Sequence, residues 1–133
     1  MNRTLNFEVK GNQYTIEYPT VRNFINIETQ KSFLSGGTLQ GMVSSNLVSQ
    51  FQAYQLIDCI AHLNVLCPKL VKDCKTDSLE DLDLFDTMEL LEVYVKVVRV
   101  WIEEWRTILK KKINEINGII EEPTAPAVSD EEK

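Results

Sequence analysis

Residues 87–117 read TMELLEVYVKVVRVWIEEWRTILKKKINEIN, and this stretch decides the predicted fold. At about 100° per residue, its charged side chains form one narrow stripe that steps by four and three residues. That stripe contains Glu92, Lys96, Arg99, Glu103, Arg106 and Lys110. The opposite side is apolar and contains Leu91, Tyr94, Val95, Val98, Trp101, Ile102, Trp105, Ile108, Leu109, Ile113 and Ile116. The pattern predicts one long amphipathic helix.

The apolar arc of this helix is wider in its first half, where Val93 and Val97 extend it, than in its second half, where Glu104 and Lys111 narrow it. A helix that is apolar nearly all round is buried, so the first half is predicted to be the central helix of the domain. The whole helix is about 46 Å long at ~1.5 Å per residue, more than a domain of this size covers. The second half is therefore expected to overhang.

An overhanging apolar stripe needs a partner, and we expect either a second copy of the chain or a protein client with apolar helices. The predicted partner-binding residues are Trp105, Ile108, Leu109, Ile113 and Ile116. An intramolecular partner is the alternative.

A β-hairpin is predicted near the start, in FEVKGNQYTIEYPT at residues 7–20. Apolar residues alternate with polar ones on both sides of Lys10-Gly11-Asn12-Gln13, and the central Gly-Asn pair tolerates positive φ. An isolated hairpin is only marginally stable in water, so its apolar face must pack on another element.

Helical patterns fill the middle of the chain. Thr20 is predicted to cap a helix that begins at Val21 and ends at Ser35-Gly36-Gly37. A second helical stripe follows from Leu39, loose or broken in its serine-rich first half, and it ends near Leu66 before Cys67-Pro68.

Two capping boxes are predicted ahead of the long helix. Ser78 pairs with Asp81 in the first, and Asp86 pairs with Glu89 in the second. A short helical turn is expected at the first box, and the long helix is expected to begin at about Thr87.

Together these elements predict a mainly α fold: a short N-terminal β-hairpin, a bundle of about four helices and a long C-terminal helix. Residues 1–120 are expected to form a single domain, because 133 residues suit one core. Residues 121–133, which carry five acids and one lysine, are expected to form a disordered acidic tail.

Charge and hydropathy exclude several classes of function. The net charge is −6, but residues 1–120 hold fifteen acids and thirteen bases, so the body is nearly neutral and has no basic face for nucleic acid. No window approaches the ~18 apolar residues of a membrane span, and the start has no signal-peptide run. We expect a cytoplasmic protein that binds neither nucleic acid nor membrane.

Candidate catalytic groups are few. The three cysteines fit neither a disulfide framework nor a metal motif, and we expect reduced thiols. His62 follows Asp58 by four residues, which can mean an oriented base or a surface pair, and we favour the surface pair. A catalytic zinc needs three protein ligands, which this single histidine does not provide. No catalytic residue, metal or cofactor is predicted.

An acidic run lies between Lys75 and Lys96 without any base. Its spacing fails as a calcium loop, because with Asp81 as the first position Phe85 occupies the fifth, where an oxygen ligand is needed, and Asp86 the sixth, where glycine is needed. We expect it to act as an amphipathic turn, or to dock a basic partner or the Arg106–Lys112 cluster of a neighbouring copy. The acidic docking residues are Asp81, Asp83 and Asp86.

A family resemblance rests on FEVKGNQYTIEYPT and on LEDLDLFDTMELLEVY followed by WIEEW. The strand pair apolar-x-apolar-x-Gly-x-x-Tyr-x-Ile-x-Tyr-Pro-Thr, the helical body and the acidic tail resemble small tail assembly chaperones of tailed bacteriophages, over residues 5–109. The resemblance implies a non-enzymatic protein of the host cytoplasm that self-associates. It would coat the long helical tape-measure protein until the tail tube forms, and a longer frameshifted form is common in the family.

Two other functions compete with this one. A structural virion component, such as a connector or tail protein, would form fixed rings through a large apolar interface. An acidic inhibitor or regulator would bind a host protein through the segment from Asp77 to Glu92.

Overall fold

The computed structural model describes residues 2–118. Within this range the chain is mainly helical, with an N-terminal antiparallel hairpin and a long C-terminal helix, so the predicted fold class is confirmed. By its internal contacts the chain divides into two units, which within the described range are residues 2–100 and residues 101–118. The single domain over 1–120 stays a prediction, and the acidic tail at 121–133 lies outside the described residues.

The hairpin consists of β1 (Thr4–Val9) and β2 (Asn12–Glu17), joined by Lys10 and Gly11. These two residues have φ of 52° and 82°, as a two-residue type I′ loop requires. The predicted central pair, Gly11-Asn12, is therefore wrong by one residue, because Asn12 already pairs with Val9. The buried face is as predicted, and it contains Phe7, Val9, Tyr14 and Ile16.

Six α-helices follow the hairpin in the described residues. They are α1 (Val21–Leu34), α2 (Leu39–Ser44), α3 (Val48–Leu66), α4 (Pro68–Asp73), α5 (Met88–Val93) and α6 (Arg99–Ile116). A 3-10 turn lies at Leu79–Asp81 and a π-helical turn at Tyr94–Val98. In the first unit α1 packs on α3, and α5 packs on β1.

The predicted boundaries of α1 and the predicted end of α3 at Leu66 are confirmed. The Thr20 hydroxyl accepts the Asn23 N–H at 3.0 Å and caps α1. Gly36 and Gly37 end α1 at φ of 62° and 82°, where residues with a Cβ are strained. The expected break in the serine-rich region lies at residues 45–47, between α2 and α3.

Both predicted capping boxes are wrong. Ser78 makes no side-chain cap and instead contacts Glu80. The residue that precedes α5 at the N-cap position is Thr87 rather than Asp86, and it makes no side-chain cap either. Asp83 accepts the Asp86 N–H at 2.7 Å, and the Glu89 carboxylate accepts the Lys10 N–H at 2.8 Å. Side chains that the sequence pattern assigned to helix caps thus form hydrogen bonds within turns or with distant parts of the chain instead.

The expectation that the first half of the long helix is buried all round is also wrong. Leu90, Tyr94 and Val98 are buried, four residues apart, whereas Val97 and Val100 are exposed. The π-helical turn at 94–98 contains more residues per turn than an α-helix and so shifts the phase of the helix faces. Only one narrow face of this part is covered.

Candidate functional site

The predicted partner-binding residues of α6 divide into a buried and an accessible part. Trp105 is 1% exposed, which corrects the expectation that it belongs to the overhang. Its ring meets that of Trp101 edge-on at 6.4 Å, and the Arg106 guanidinium lies 5.0 Å above it. The accessible apolar surface of α6 begins after this residue.

Beyond Trp105, α6 exposes large aliphatic side chains. Ile108 is 51% exposed, Ile113 is 45% exposed and Ile116 is 70% exposed, while Leu109 between them is half-buried. Their spacing places all four within one side of the helix. We call these four residues the α6 stripe.

The α6 stripe lies in a strongly basic environment. No acid occurs between Glu104 and Glu115, and this part of α6 contains four basic residues, Arg106, Lys110, Lys111 and Lys112. All three lysines are exposed. At α-helical spacing Lys112 lies on the same side as the stripe, and Lys110 and Lys111 border it on either side. The stripe therefore favours an apolar partner that carries negative charge at its edges.

The predicted acidic docking residues are on the surface of the first unit. Asp81, Asp83 and Asp86 are all exposed, as expected. Large apolar side chains alternate with them, since Leu84 and Phe85 are 67% and 78% exposed. The segment is thus both apolar and acidic, with seven acids and no base between residues 76 and 95.

An apolar groove of about 180 Å³ adjoins this acidic segment. We call it the leucine groove. Its walls come from α1, α3 and the segment around the 3-10 turn, and they are formed by Leu34, Leu56, Ile57, Ile60, Leu79, Glu80, Leu82, Leu84 and Thr87. A site built from three separate elements is invisible to a search for local motifs, and the sequence analysis missed it.

Asn64 of α3 positions one wall of the leucine groove. Its side-chain oxygen accepts the Leu79 N–H at 2.9 Å, and its amide nitrogen lies 3.0 Å from Glu80 Oε1 and 3.1 Å from Gln30 Oε1. Burial alone raises the pKa of Glu80, but hydrogen bonds from Ser78, its own backbone and Asn64 outweigh it and lower that pKa. The carboxylate of Glu80 is therefore kept charged beside the groove.

The Asp58–His62 pair is not on the surface, so the favoured interpretation of these residues is wrong. His62 is 0% exposed, and its Nδ1 lies 2.7 Å from the carbonyl oxygen of Asp58. A carbonyl oxygen only accepts, so Nδ1 carries the hydrogen. Tyr94 donates to Asp58 Oδ2 at 2.6 Å, and the Lys31 ammonium lies 3.7 Å from Oδ1. This cluster links α1, α3 and the π-helical turn inside the first unit.

A second cavity, of about 240 Å³, lies between the hairpin turn and the end of α4. The Tyr14 hydroxyl donates to Asp73 Oδ2 at 2.8 Å. Burial, and then the hydrogen bond to Asp73, raise the pKa of Tyr14 to about 12. Lys10 and Lys75 border this cavity, each at positive φ in a turn.

The three cysteines are free thiols within the first unit, and Cys59 and Cys67 are buried. Burial raises the pKa of all three. Over residues 2–118, no three His, Cys, Asp or Glu side chains are grouped to hold a metal ion.

No protein-family model, curated protein or solved structure matches this chain. No helix in the described part of the chain is long and apolar enough to cross a membrane.

Proposed function

We propose that the protein is a non-enzymatic assembly protein that covers an apolar helix of a client through the α6 stripe. The supporting observation is that Ile108, Ile113 and Ile116 stand exposed on one side of a regular helix. Helix-to-helix docking uses apolar anchors at spacings of three, four and seven residues, and Leu109, Ile113 and Ile116 of the stripe follow this spacing. The lysines at the edges of the stripe favour a client helix with acidic flanks.

The resemblance to tail assembly chaperones of tailed bacteriophages suggests which client the protein would bind and where it would act. The client would then be the tape-measure protein, a long helical protein that needs its apolar faces covered until the tail tube forms around it. The protein would act in the host cytoplasm.

A binding measurement with a synthetic helix tests the proposal. The probe is a fluorescent helical peptide with a leucine face and glutamate flanks, followed by anisotropy. We expect Ile113→Glu to weaken binding by roughly tenfold or more, because it places a charge in an apolar contact. Thr107→Glu is the matched control, since at α-helical spacing Thr107 lies opposite the stripe and is exposed. Equal binding by wild type and Ile113→Glu, or an equal loss in both variants, would overturn the proposal.

Identification of the client requires the native cells. The protein, tagged at its N-terminus, should recover one very long helical protein, and the Ile113→Glu variant should recover much less of it. Recovery of tail or connector proteins by both forms would instead favour a structural virion component.

The acidic segment supports a second candidate function, the binding of a basic partner as an inhibitor or regulator. Asp81, Asp83 and Asp86 are all exposed and no base lies among them. If neutralising these three carboxylates leaves every recovered partner bound, this candidate fails.

A further inference from the structure

Two surfaces of this chain complement each other in both hydropathy and charge. The α6 stripe exposes isoleucines among four basic residues within Arg106–Lys112, with no acid between Glu104 and Glu115. The leucine groove is apolar, and the segment that forms one of its walls carries seven acids and no base between residues 76 and 95. A basic amphipathic helix is therefore the kind of partner that this groove fits.

We infer that the α6 stripe of one copy docks into the leucine groove of a second copy. Aliphatic side chains of the stripe enter the groove, while Lys110 and Lys112 approach the carboxylates of Asp81 and Asp86. The apolar contact supplies affinity, and the charges set orientation and association rate. This inference rests on the proposed function in one respect, namely that self-docking and client binding use the same stripe.

Each copy offers one stripe and one groove, so the contact joins two different surfaces. Made once per pair, such a contact leaves an open stripe and an open groove and continues into chains or rings, whereas two copies that make it reciprocally close into a two-fold dimer. The groove holds only about 180 Å³, which accommodates a few side chains. We therefore expect a weak, reversible and concentration-dependent assembly, in which a client helix displaces the self-contact.

A charge exchange tests the inference with the full chain. One variant carries Lys110→Glu and Lys112→Glu, and the other carries Asp81→Lys and Asp86→Lys. Asp83 is kept, because its carboxylate accepts the Asp86 N–H. Size-exclusion chromatography with light scattering over a range of concentrations gives the mass of each sample.

The molar mass of wild type should rise with protein concentration because the copies associate. Added salt should reduce that rise, because it screens exposed charges. Each variant alone should self-associate more weakly by roughly tenfold or more, because like charges then face each other across the contact. An equimolar mixture should associate again, since every stripe then finds a groove of opposite charge. Recovery in the mixture also shows that both variants are folded.

The control variant is Glu8→Lys with Glu17→Lys, which makes the same charge change on exposed residues of the hairpin. It should associate as wild type does. The inference is overturned if wild type stays monomeric at all concentrations, if either exchanged variant associates like wild type, or if the mixture fails to associate.

One further variant separates this inference from the proposed function. Leu84→Glu places a charge at the edge of the groove, where Leu84 is 67% exposed, and leaves α6 unchanged. We expect it to lose self-association and to keep binding the acidic-flanked peptide. Retained self-association in Leu84→Glu contradicts docking in the groove. The effect of Ile113→Glu on peptide binding is a separate result, which tests the proposed binding of the client.

Discussion

The hydroxyl of Tyr94 donates a hydrogen bond of 2.6 Å to the carboxylate of Asp58. This contact joins the π-helical turn to α3, and it lies beside the fully buried ring of His62. Asp58, His62 and Tyr94 are residue types that also occur together in catalytic relays. In the folded chain His62 and Tyr94 are 0% and 1% exposed, and the cluster links α1, α3 and the π-helical turn.

We expect Tyr94→Phe to lower the free energy of unfolding by about 1–3 kcal/mol, because Asp58 loses a buried donor. The measurement is urea unfolding of wild type, Tyr94→Phe, Asp58→Asn and the double variant. A coupling energy of roughly 1 kcal/mol or more between the two positions is expected for residues in contact. Simple additivity of the two losses would show that this hydrogen bond carries no stability.

We expect Asn64→Ala to destabilise the first unit by about 1–3 kcal/mol, because the Leu79 N–H loses its acceptor. Gln30→Ala is the matched control, since it removes only one acceptor of the Asn64 amide and should cost less. Hydrogen exchange should show faster exchange around residues 76–82 in Asn64→Ala. Unchanged exchange there would contradict the positioning role of Asn64.

The pKa of Tyr14 predicts a loss of stability at high pH. In the unfolded chain this phenol releases its proton near pH 10, whereas in the folded chain it holds the proton up to about pH 12. The folded state therefore binds more protons than the unfolded state between pH 10 and about 12. The contribution of Tyr14 to the free energy of unfolding is complete below pH 10 and is lost as the pH rises to about 12.

Tyr14→Phe removes this titrating group together with its hydrogen bond to Asp73. Wild type should be more stable than the variant at neutral pH, by about 1 kcal/mol. The difference should shrink between pH 10 and 12, because only wild type loses the contribution of Tyr14. Urea unfolding at several pH values gives the comparison, and a constant difference across this window would refute the expected shift.

Trp105→Glu should lower the melting temperature strongly, because it places a charge at a position that is 1% exposed. Ile108→Glu is the matched control on the same helix, since Ile108 is 51% exposed. We expect the second substitution to leave the melting temperature within a few degrees of wild type. If both variants melt alike, the boundary between the buried and accessible parts of α6 is not at Trp105.

The sequence by itself determined the two strands and the longest helices of this fold. Period-two alternation identified the strands and their buried face, and the spacing of three and four residues identified α1, α3 and the long C-terminal helix. Thr20 and the Gly36-Gly37 pair fixed both ends of α1 through local hydrogen bonding and positive φ. The exposure of the acidic residues also followed from charge alone.

Local patterns left other features open, and only the tertiary structure decided them. Gly11-Asn12 and Lys10-Gly11 turns place the same side chains on the same hairpin face, so alternation cannot choose the register. In the folded chain the Lys10 N–H reaches Glu89, and the Tyr14 hydroxyl reaches Asp73. Both partners are more than fifty residues away in the sequence, and short-range periodicity carries no information about them.

The same reason explains His62, Trp105 and the leucine groove. A histidine four residues after an aspartate has the spacing of a surface pair, but in the fold His62 is buried and contacts Tyr94 from another element. The amphipathic pattern predicted which side of α6 is apolar, but it did not predict the residue after which that side becomes exposed. The groove is formed by three separate segments of the chain. Sequence periodicity records which side of each element is apolar, whereas packing decides which of those sides meet and which stay open to a partner.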